Sequence, residues 1–247
     1  MPPPLTPDEL AVLTRFSTPT LSNAIEVFGV RPANTGFAGP EIRCLFPELG
    51  TMVGYAATVR IAADRPAPPG ASDAAFLRSY WRSIVETPAP TIVVVEDLDP
   101  EPVGALIGEV NANVYTAMGC VGAVLRGGVR DIDEMRAAEF HAFASAVLVS
   151  RAYVHVVDFG QLVRVGRLQV APGDLIHADR HGVLTIPLEI ARDLPRVAEE
   201  IERLEREIID VAREPAFSVD RLAGVWQSVV ARSPQPGAAT SDRPEHI

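Results

Sequence analysis

The segment Thr91-Ile92-Val93-Val94-Val95 most restricts what this chain can become. An unbroken β-branched run has no wet side, so it reads as a strand covered on both faces, the condition of a parallel sheet wrapped in helices. Residues 102–118 follow with an apolar stripe at Leu106, Val110, Val114 and Ala117, which reads as a helix ended by Gly119. Val121 to Leu125 then forms a second apolar strand. Strand, helix, strand is a βαβ unit, whose two strands run parallel. The fold class is α/β.

The flanking chain fits one such domain. Thr6-Pro7-Asp8-Glu9 is a helix start, with Thr6 as N-cap and Glu9 closing a capping box. A second helix starts at Thr18-Pro19 and ends at Gly29. Residues 31–50 read as a long loop, 53–61 as a strand, and Ser72 as the cap of a helix reaching Val85. After a strand at 121–125, Gly127-Gly128 reads as a turn, and a short helix runs from Asp131 to about Glu139. A strand at 144–149 and short β runs at 152–157, 162–165, 168–170, 174–178 and 183–186 come next, with hairpin turns at Gly166-Arg167 and Arg180-His181-Gly182. A long helix from Leu188 to Arg213 carries an apolar seam at Leu194, Val197, Ile201, Leu204, Ile208 and Val211, suited to its own sheet or to another subunit. Glu199–Arg203 and Glu202–Arg206 are i,i+4 pairs on its outer face. A last helix spans about 219–231. The expected organisation is a flexible start over residues 1–5, one domain over 6–231 and a disordered, Pro-rich tail over 232–247.

Charge and composition exclude several functions. A net charge of −10 disfavours nucleic acid and anionic membranes, both of which need clustered Lys and Arg. No apolar run reaches the ~18–20 residues of a membrane helix. The start MPPPLTPDEL has neither a basic nor an apolar signal region, so a cytoplasmic protein is expected. The only cysteines, Cys44 and Cys120, are expected as reduced thiols. His155, His177 and His181 lack the spacing of a zinc site and read as structural. There is no G-x-S-x-G elbow, no G-x-G-x-x-G in a strand-to-helix context and no G-x-x-x-x-G-K loop.

What remains is the stretch 119–134. Arg130 supplies a planar fork suited to a carboxylate, and Asp131 a hard oxygen ligand suited to Mg²⁺, beside a helix start. Glu109, on the preceding helix, can approach Asp131. On chemistry alone the leading reading of the pair is an exposed helix start with Asp131 as N-cap.

The motifs around this pair resemble the RraA-like family, which includes 4-hydroxy-4-methyl-2-oxoglutarate aldolases, oxaloacetate decarboxylases and a noncatalytic regulator of RNase E activity. Gly108-Glu109-Val110-Asn111 is similar to the family's G-[ED]-x-x segment. Arg126-Gly127-Gly128-Val129-Arg130-Asp131 is similar to its D-G-x-x-R-D motif. Pro172-Gly173-Asp174, Asp179 and Gly182-Val183-Leu184-Thr185-Ile186-Pro187 match its later P-G-D…D…G-V-x-x-[VI]-P stretch, and Leu21-Ser22-Asn23-Ala24 its L-S-D-A helix. The likeness spreads over residues 10–225.

That resemblance implies a single-domain β/β/α sandwich assembled as a homotrimer or homohexamer, with sites between subunits. It implies that Asp131 binds a divalent metal, Mg²⁺ or Mn²⁺, and that Arg130 with Gly108, Glu109, Val110 and Asn111 binds a 2-oxo acid. It implies that Glu205 or Glu207 of a neighbouring subunit approaches the metal's waters, and that a water held by Glu109 shuttles a proton. The activity implied is a metal-dependent carbon–carbon lyase, aldolase or decarboxylase, working through pyruvate enolate. The alternative is a noncatalytic regulator that binds a partner protein. One position departs from the pattern: Arg126 stands where the motif starts with Asp. A cation there would repel a metal by roughly 4 kcal/mol for unit charges 4 Å apart at an effective ε near 20. Arg126 therefore points away, or reads a second acidic group on the substrate, or weakens metal binding.

Overall fold

The β-branched run becomes the middle of the main sheet. The computed structural model describes residues 3–69 and 73–234. Within them lie α1 (Pro7–Leu13), α2 (Thr18–Phe28), β1 (Arg43–Cys44), β2 (Met52–Ala62), α3 (Ala74–Val85), β3 (Thr91–Asp97), β4 (Ala105–Ile107), α4 (Glu109–Ala117) and β5 (Cys120–Val129). The chain continues through α5 (Ile132–Ala137), β6 (His141–Val147), β7 (His155–Phe159), β8 (Val163–Val165), β9 (Leu168–Val170), β10 (Leu175–Asp179), β11 (Gly182–Ile186), α6 (Leu194–Ala212) and α7 (Val219–Arg232).

The main sheet runs β1-β6-β5-β3-β2-β10-β11, with β4 beside β5 and β7 beside β2. The pairs β2–β3, β3–β5, β4–β5 and β5–β6 are parallel, as the βαβ reading requires, and the outer pairs are antiparallel. The loop before β1 nearly closes the sheet on itself: Ala38 N–H donates to Val183 O at 2.9 Å on one edge, and Arg43 pairs with Ala144 on the other. Val93 and Val95 bury on one face with Tyr80, Ile107, Tyr115 and Leu125. Ile92 and Val94 bury on the opposite face against the β8–β9 hairpin. A third cluster joins α1, α2 and the start of α6 to Tyr55, Leu175, Leu184 and Ile186. The result is a mixed α/β fold, with the hairpin and the helices on opposite sides of the central strands.

The helix punctuation is as read. Thr6 and Glu9 form the capping box, and Gly29 ends α2 at φ 62°, where a Cβ would be strained. Leu5, assigned to the flexible start, is buried and donates its N–H to Tyr55 Oη at 2.7 Å. Ser72 and residues 235–247 of the tail lie outside the described residues, and Asp73 caps α3 at Phe76 N–H.

Four expectations are corrected. The helix over 102–118 begins only at Glu109, because Ala105–Ile107 pairs with β5 as a strand. Gly127-Gly128 is no turn: β5 runs through both glycines to Val129. A Cβ at Gly128 would run into Leu148, so glycine there leaves room for that side chain, whereas one at Gly127 would make only ordinary contact with Asp97 Cβ at 3.4 Å. The last long helix starts at Leu194 instead of Leu188, with Pro195 in its first turn. Its seam packs on α2 and α7, and its first turns join the buried cluster that includes Leu175 of β10 and Leu184 and Ile186 of β11. Its outer-face pairs differ too: Arg203 bridges Glu200 at 2.7 Å and Glu207 at 2.9 Å, while Glu199 stands 3.9 Å from Arg15.

The later motif does architectural work. Asp174 accepts from Ala171 N–H and closes the turn before β10. Asp179 accepts from Thr18 N–H at 2.9 Å and His181 N–H at 2.8 Å, tying the start of α2 to the end of β10.

Candidate functional site

Parallel strands of such sheets present ligands at their carboxyl ends, and here the ends of β4 and β5 lie together. Arg130 N–H donates to Ile107 O at 3.0 Å, which clamps the exit of β5 to the exit of β4. The chain then turns sharply: Asp131 takes φ 53°, ψ 52°, a left-handed conformation that costs a non-glycine residue on the order of 1 kcal/mol. Although Asp131 stands before α5, its side chain does not cap that helix. Instead Oδ2 accepts from Glu109 N–H, the first amide of α4, at 3.1 Å. Arg130 Nε lies 3.7 Å from the same oxygen, and both side chains are only partly exposed.

This arrangement depends on the absence of a side chain at Gly108. Its φ of −148° is ordinary extended backbone, so conformation does not demand glycine there. Space does. A Cβ at 108 would overlap Asp131 Oδ2 and meet Asp131 Cγ and Arg130 Cγ at 3.1 Å.

Gly108, Val110, Asn111, Arg130 and Asp131 line one cleft of about 210 Å³, walled by Ala105, Leu106 and Val154. Gly108 offers no side-chain cap to α4, and the Val110 and Asn111 N–H groups have no acceptor among the described residues. Open amides at a helix start beside an Arg make a carboxylate-binding corner. Asn111 itself is locked by donating Nδ2–H to Leu106 O at 2.6 Å.

Two residues named with this group sit differently. Glu109 meets Asp131 through its backbone amide, and its carboxylate is not part of the cleft wall. Arg126 points along β3, donating to the Asp97 and Pro100 carbonyls. Sequence reading missed Arg151, which also lines the cleft. No motif contains it, and its place follows from a loop docked on residues far away in the chain.

The fit to a cation rests on Asp131. Among the described residues no three His, Cys, Asp or Glu side chains converge as a ligand set. One carboxylate with Oδ1 unengaged and Oδ2 oriented by an amide suits a hydrated Mg²⁺, which keeps several waters and needs only one or two carboxylates.

A family model described as RraA-like, Aldolase/RraA, matches residues 18–185. The chain belongs to the RraA-like family. A relative from Halalkalibacterium halodurans, named "Putative 4-hydroxy-4-methyl-2-oxoglutarate aldolase", is 25% identical over 173 residues, covering 70% of this chain and 74% of its own. The crystal structure of an uncharacterized protein from Pseudomonas syringae pv. tomato superposes with a TM-score of 0.68 at 21% identity, over 92% of this chain and 96% of that one. Streptomyces coelicolor RraAS2, described as an unusual member of the RNase ES inhibitor RraA protein family, gives 0.66 at 19% identity over 83% and 98%. These two likenesses show the RraA-like fold.

Other titratable groups of this RraA-like chain lie apart from the cleft. Burial pushes the Cys120 thiol up to about 12 and the His177 imidazole down to about 4, leaving both neutral at pH 7. His181 pairs with Asp179 at 3.1 Å. Glu207 is held by Arg203 and by Arg232 at 2.6 Å. No helix among the described residues is long and apolar enough to cross a membrane.

Asp97, at the end of β3, gives a pH-dependent prediction. Its side chain is buried, Oδ2 has no partner among the described residues, and burial raises its carboxyl to about 6, against the N–H bond from Asp99 and the nearby Arg126 charge, both of which lower it. The folded state therefore holds this proton more tightly than the unfolded chain. The stabilisation is complete below the ordinary value of 3.8 and is lost as pH rises through about 6. Asp97→Asn imitates the protonated form. Its Tm should exceed the wild-type value by on the order of 3 °C at pH 7.5 and match it near pH 4. Thermal melts across that range check this, and a constant difference would refute it.

Proposed function

We propose that the protein is a divalent-metal-dependent carbon–carbon lyase acting on a 2-oxo acid, an aldolase or a decarboxylase. The observation that carries this is the convergence of Arg130, Asp131 and the open amides of α4 on one cleft. The named activity of the Halalkalibacterium relative supports it.

In this reading the substrate carboxylate seats on the Val110 and Asn111 N–H groups and the Arg130 guanidinium. Cleavage beside a 2-oxo acid leaves the enolate of pyruvate, and Arg130 places positive charge where that oxyanion grows. Asp131 is the residue that would hold Mg²⁺ or Mn²⁺, and the cation would supply Lewis-acid stabilisation of the same developing charge. The Glu109 amide fixes the direction of the Asp131 carboxylate. In this reading a water held by the Glu109 carboxylate returns a proton to the product.

The test is pyruvate release from oxaloacetate, hydroxylated 2-oxoglutarates and sugar-derived 2-oxo acids, with Mg²⁺ or Mn²⁺ and with EDTA. Turnover of at least one compound is expected, abolished by EDTA and restored by metal. Turnover surviving EDTA refutes the metal requirement. No turnover of any compound, with no metal binding by calorimetry, refutes the lyase and leaves a protein-binding role like that of the family's regulators.

A further inference from the structure

The open end of the β10–β11 hairpin holds a cavity of about 330 Å³ that the lyase reading does not use. Strands β2 and β3 stand between this hairpin and β5, and the cavity shares no lining residue with the cleft of Arg130 and Asp131. Arg31 and Asp174 line it, and Ile186, Pro187 and Leu188 form an apolar wall. We infer that this cavity binds a zwitterionic α-amino acid with a short aliphatic side chain, its carboxylate on Arg31 and its ammonium on Asp174.

Arg31 is held in one place. It follows the glycine that ends α2 by two residues and reaches across to β11, where Nη1 donates to Thr185 O at 2.8 Å and to Thr185 Oγ1 at 3.0 Å. Gly36 makes room for this reach: a Cβ there would lie 2.0 Å from Arg31 Cζ. Thr185 is itself tied to the same loop, donating its N–H to Gly36 O at 2.9 Å. The Nε and Nη2 donors of Arg31 have no acceptor among the described residues. That edge of a guanidinium takes a carboxylate through two parallel bonds. Asp174 is fixed in the same way, with Oδ2 accepting from Ala171 N–H at 2.8 Å and Oδ1 without a donor among the described residues.

The two charges do not satisfy one another, since no ion pair joins Arg31 to Asp174 among the described residues. Burial lowers the Arg31 guanidinium, and the charge of Glu189 on the same wall offsets only part of that. Burial likewise raises the Asp174 carboxyl, against the bond from Ala171 N–H. Each group therefore carries a desolvation cost that a counter-charge would relieve. A carboxylate alone or an amine alone would relieve one and leave the other. A zwitterion relieves both, and the apolar wall suits an aliphatic side chain. The site is separate from the proposed chemistry, so its occupant would be an effector of the chain and not a reactant.

The probe is L-valine, compared with 3-methylbutanoate, which lacks the amino group, and 2-methylpropan-1-amine, which lacks the carboxylate. Each is titrated calorimetrically into the full chain. L-Valine should bind about ten- to hundredfold more tightly than either half-molecule. Arg31→Met and Asp174→Asn should each weaken it by about the same factor, while Arg31→Lys keeps part of the affinity. Asparagine at 174 can still accept from Ala171 N–H, so the turn before β10 stays closed and that variant reads charge alone. Asp131→Asn, which the lyase reading expects to lose turnover, should bind L-valine as the wild type does. Loss of binding in Asp131→Asn would move the ligand to the other cleft and overturn the inference. So would no binding of L-valine by the wild type, equal binding of L-valine and either half-molecule, or an affinity unchanged in Asp174→Asn. None of these results involves turnover, so the inference stands or falls separately from the lyase.

Discussion

Asp131→Asn is expected to lower the rate of metal-dependent pyruvate release by about 10³-fold or more while leaving the fold in place. Asparagine tolerates the left-handed backbone at φ 53° nearly as well as aspartate, and its carbonyl oxygen can still accept from Glu109 N–H. What disappears is the negative charge that would hold a cation and the free oxygen beside it. The substitution thus separates chemistry from architecture, which Asp131→Ala would not. Steady-state rates in excess Mg²⁺, paired with thermal melts, check it. A variant within tenfold of wild type would remove Asp131 from the metal-binding role.

Gly108→Ala should reduce kcat/KM by about 10²-fold, the scale of a displacement near 1 Å at reacting groups. The added methyl group falls on Asp131 Oδ2, the movable end of a side chain, and crowds Arg130 Cγ. The backbone at 108 is extended and accepts alanine without strain. The carboxylate will therefore swing away, breaking its bond to Glu109 N–H, and stability will change little. Kinetics set against a melting curve decide the matter. Full activity would mean that the present direction of the carboxylate is not the productive one, and a collapse in Tm would mean that the contact is structural.

Much of the architecture is legible because local chemistry and tertiary demand agree. Thr91 to Val95 is apolar on both faces and lies between β2 and β5, and Thr6, Glu9 and Gly29 set helix ends by bonds to nearby backbone. The errors arise where a contact distant in sequence overrides a local pattern. Leu106 and Val110 share a helical stripe, yet Ala105–Ile107 is taken by β5, and a three-residue strand is too short to show an alternation of its own. Gly127 and Gly128 look like a turn but lie inside β5, and at 128 a Cβ would collide with Leu148, just past the end of β6. In the cleft, Arg130 and Asp131 stand out as a pair, while the orienting bond comes from the Glu109 amide, a group every residue has and no sequence pattern marks. Arg151 is invisible for the same reason: Gly104 and Ala63 place it, and neither is near it in the chain.

The left-handed backbone at Asp131 has a consequence for how variation at that position would be sorted. Glycine would relieve the conformational cost, on the order of 1 kcal/mol, and aspartate keeps it. Glycine would also lose the bond from Glu109 N–H, about 1 kcal/mol, so a screen for thermal robustness alone would be nearly indifferent to the acid, whereas a screen for turnover would retain it. On the lyase reading, backbone cost and orienting hydrogen bond offset one another at this residue, and the remaining carboxylate oxygen is the one a cation would use.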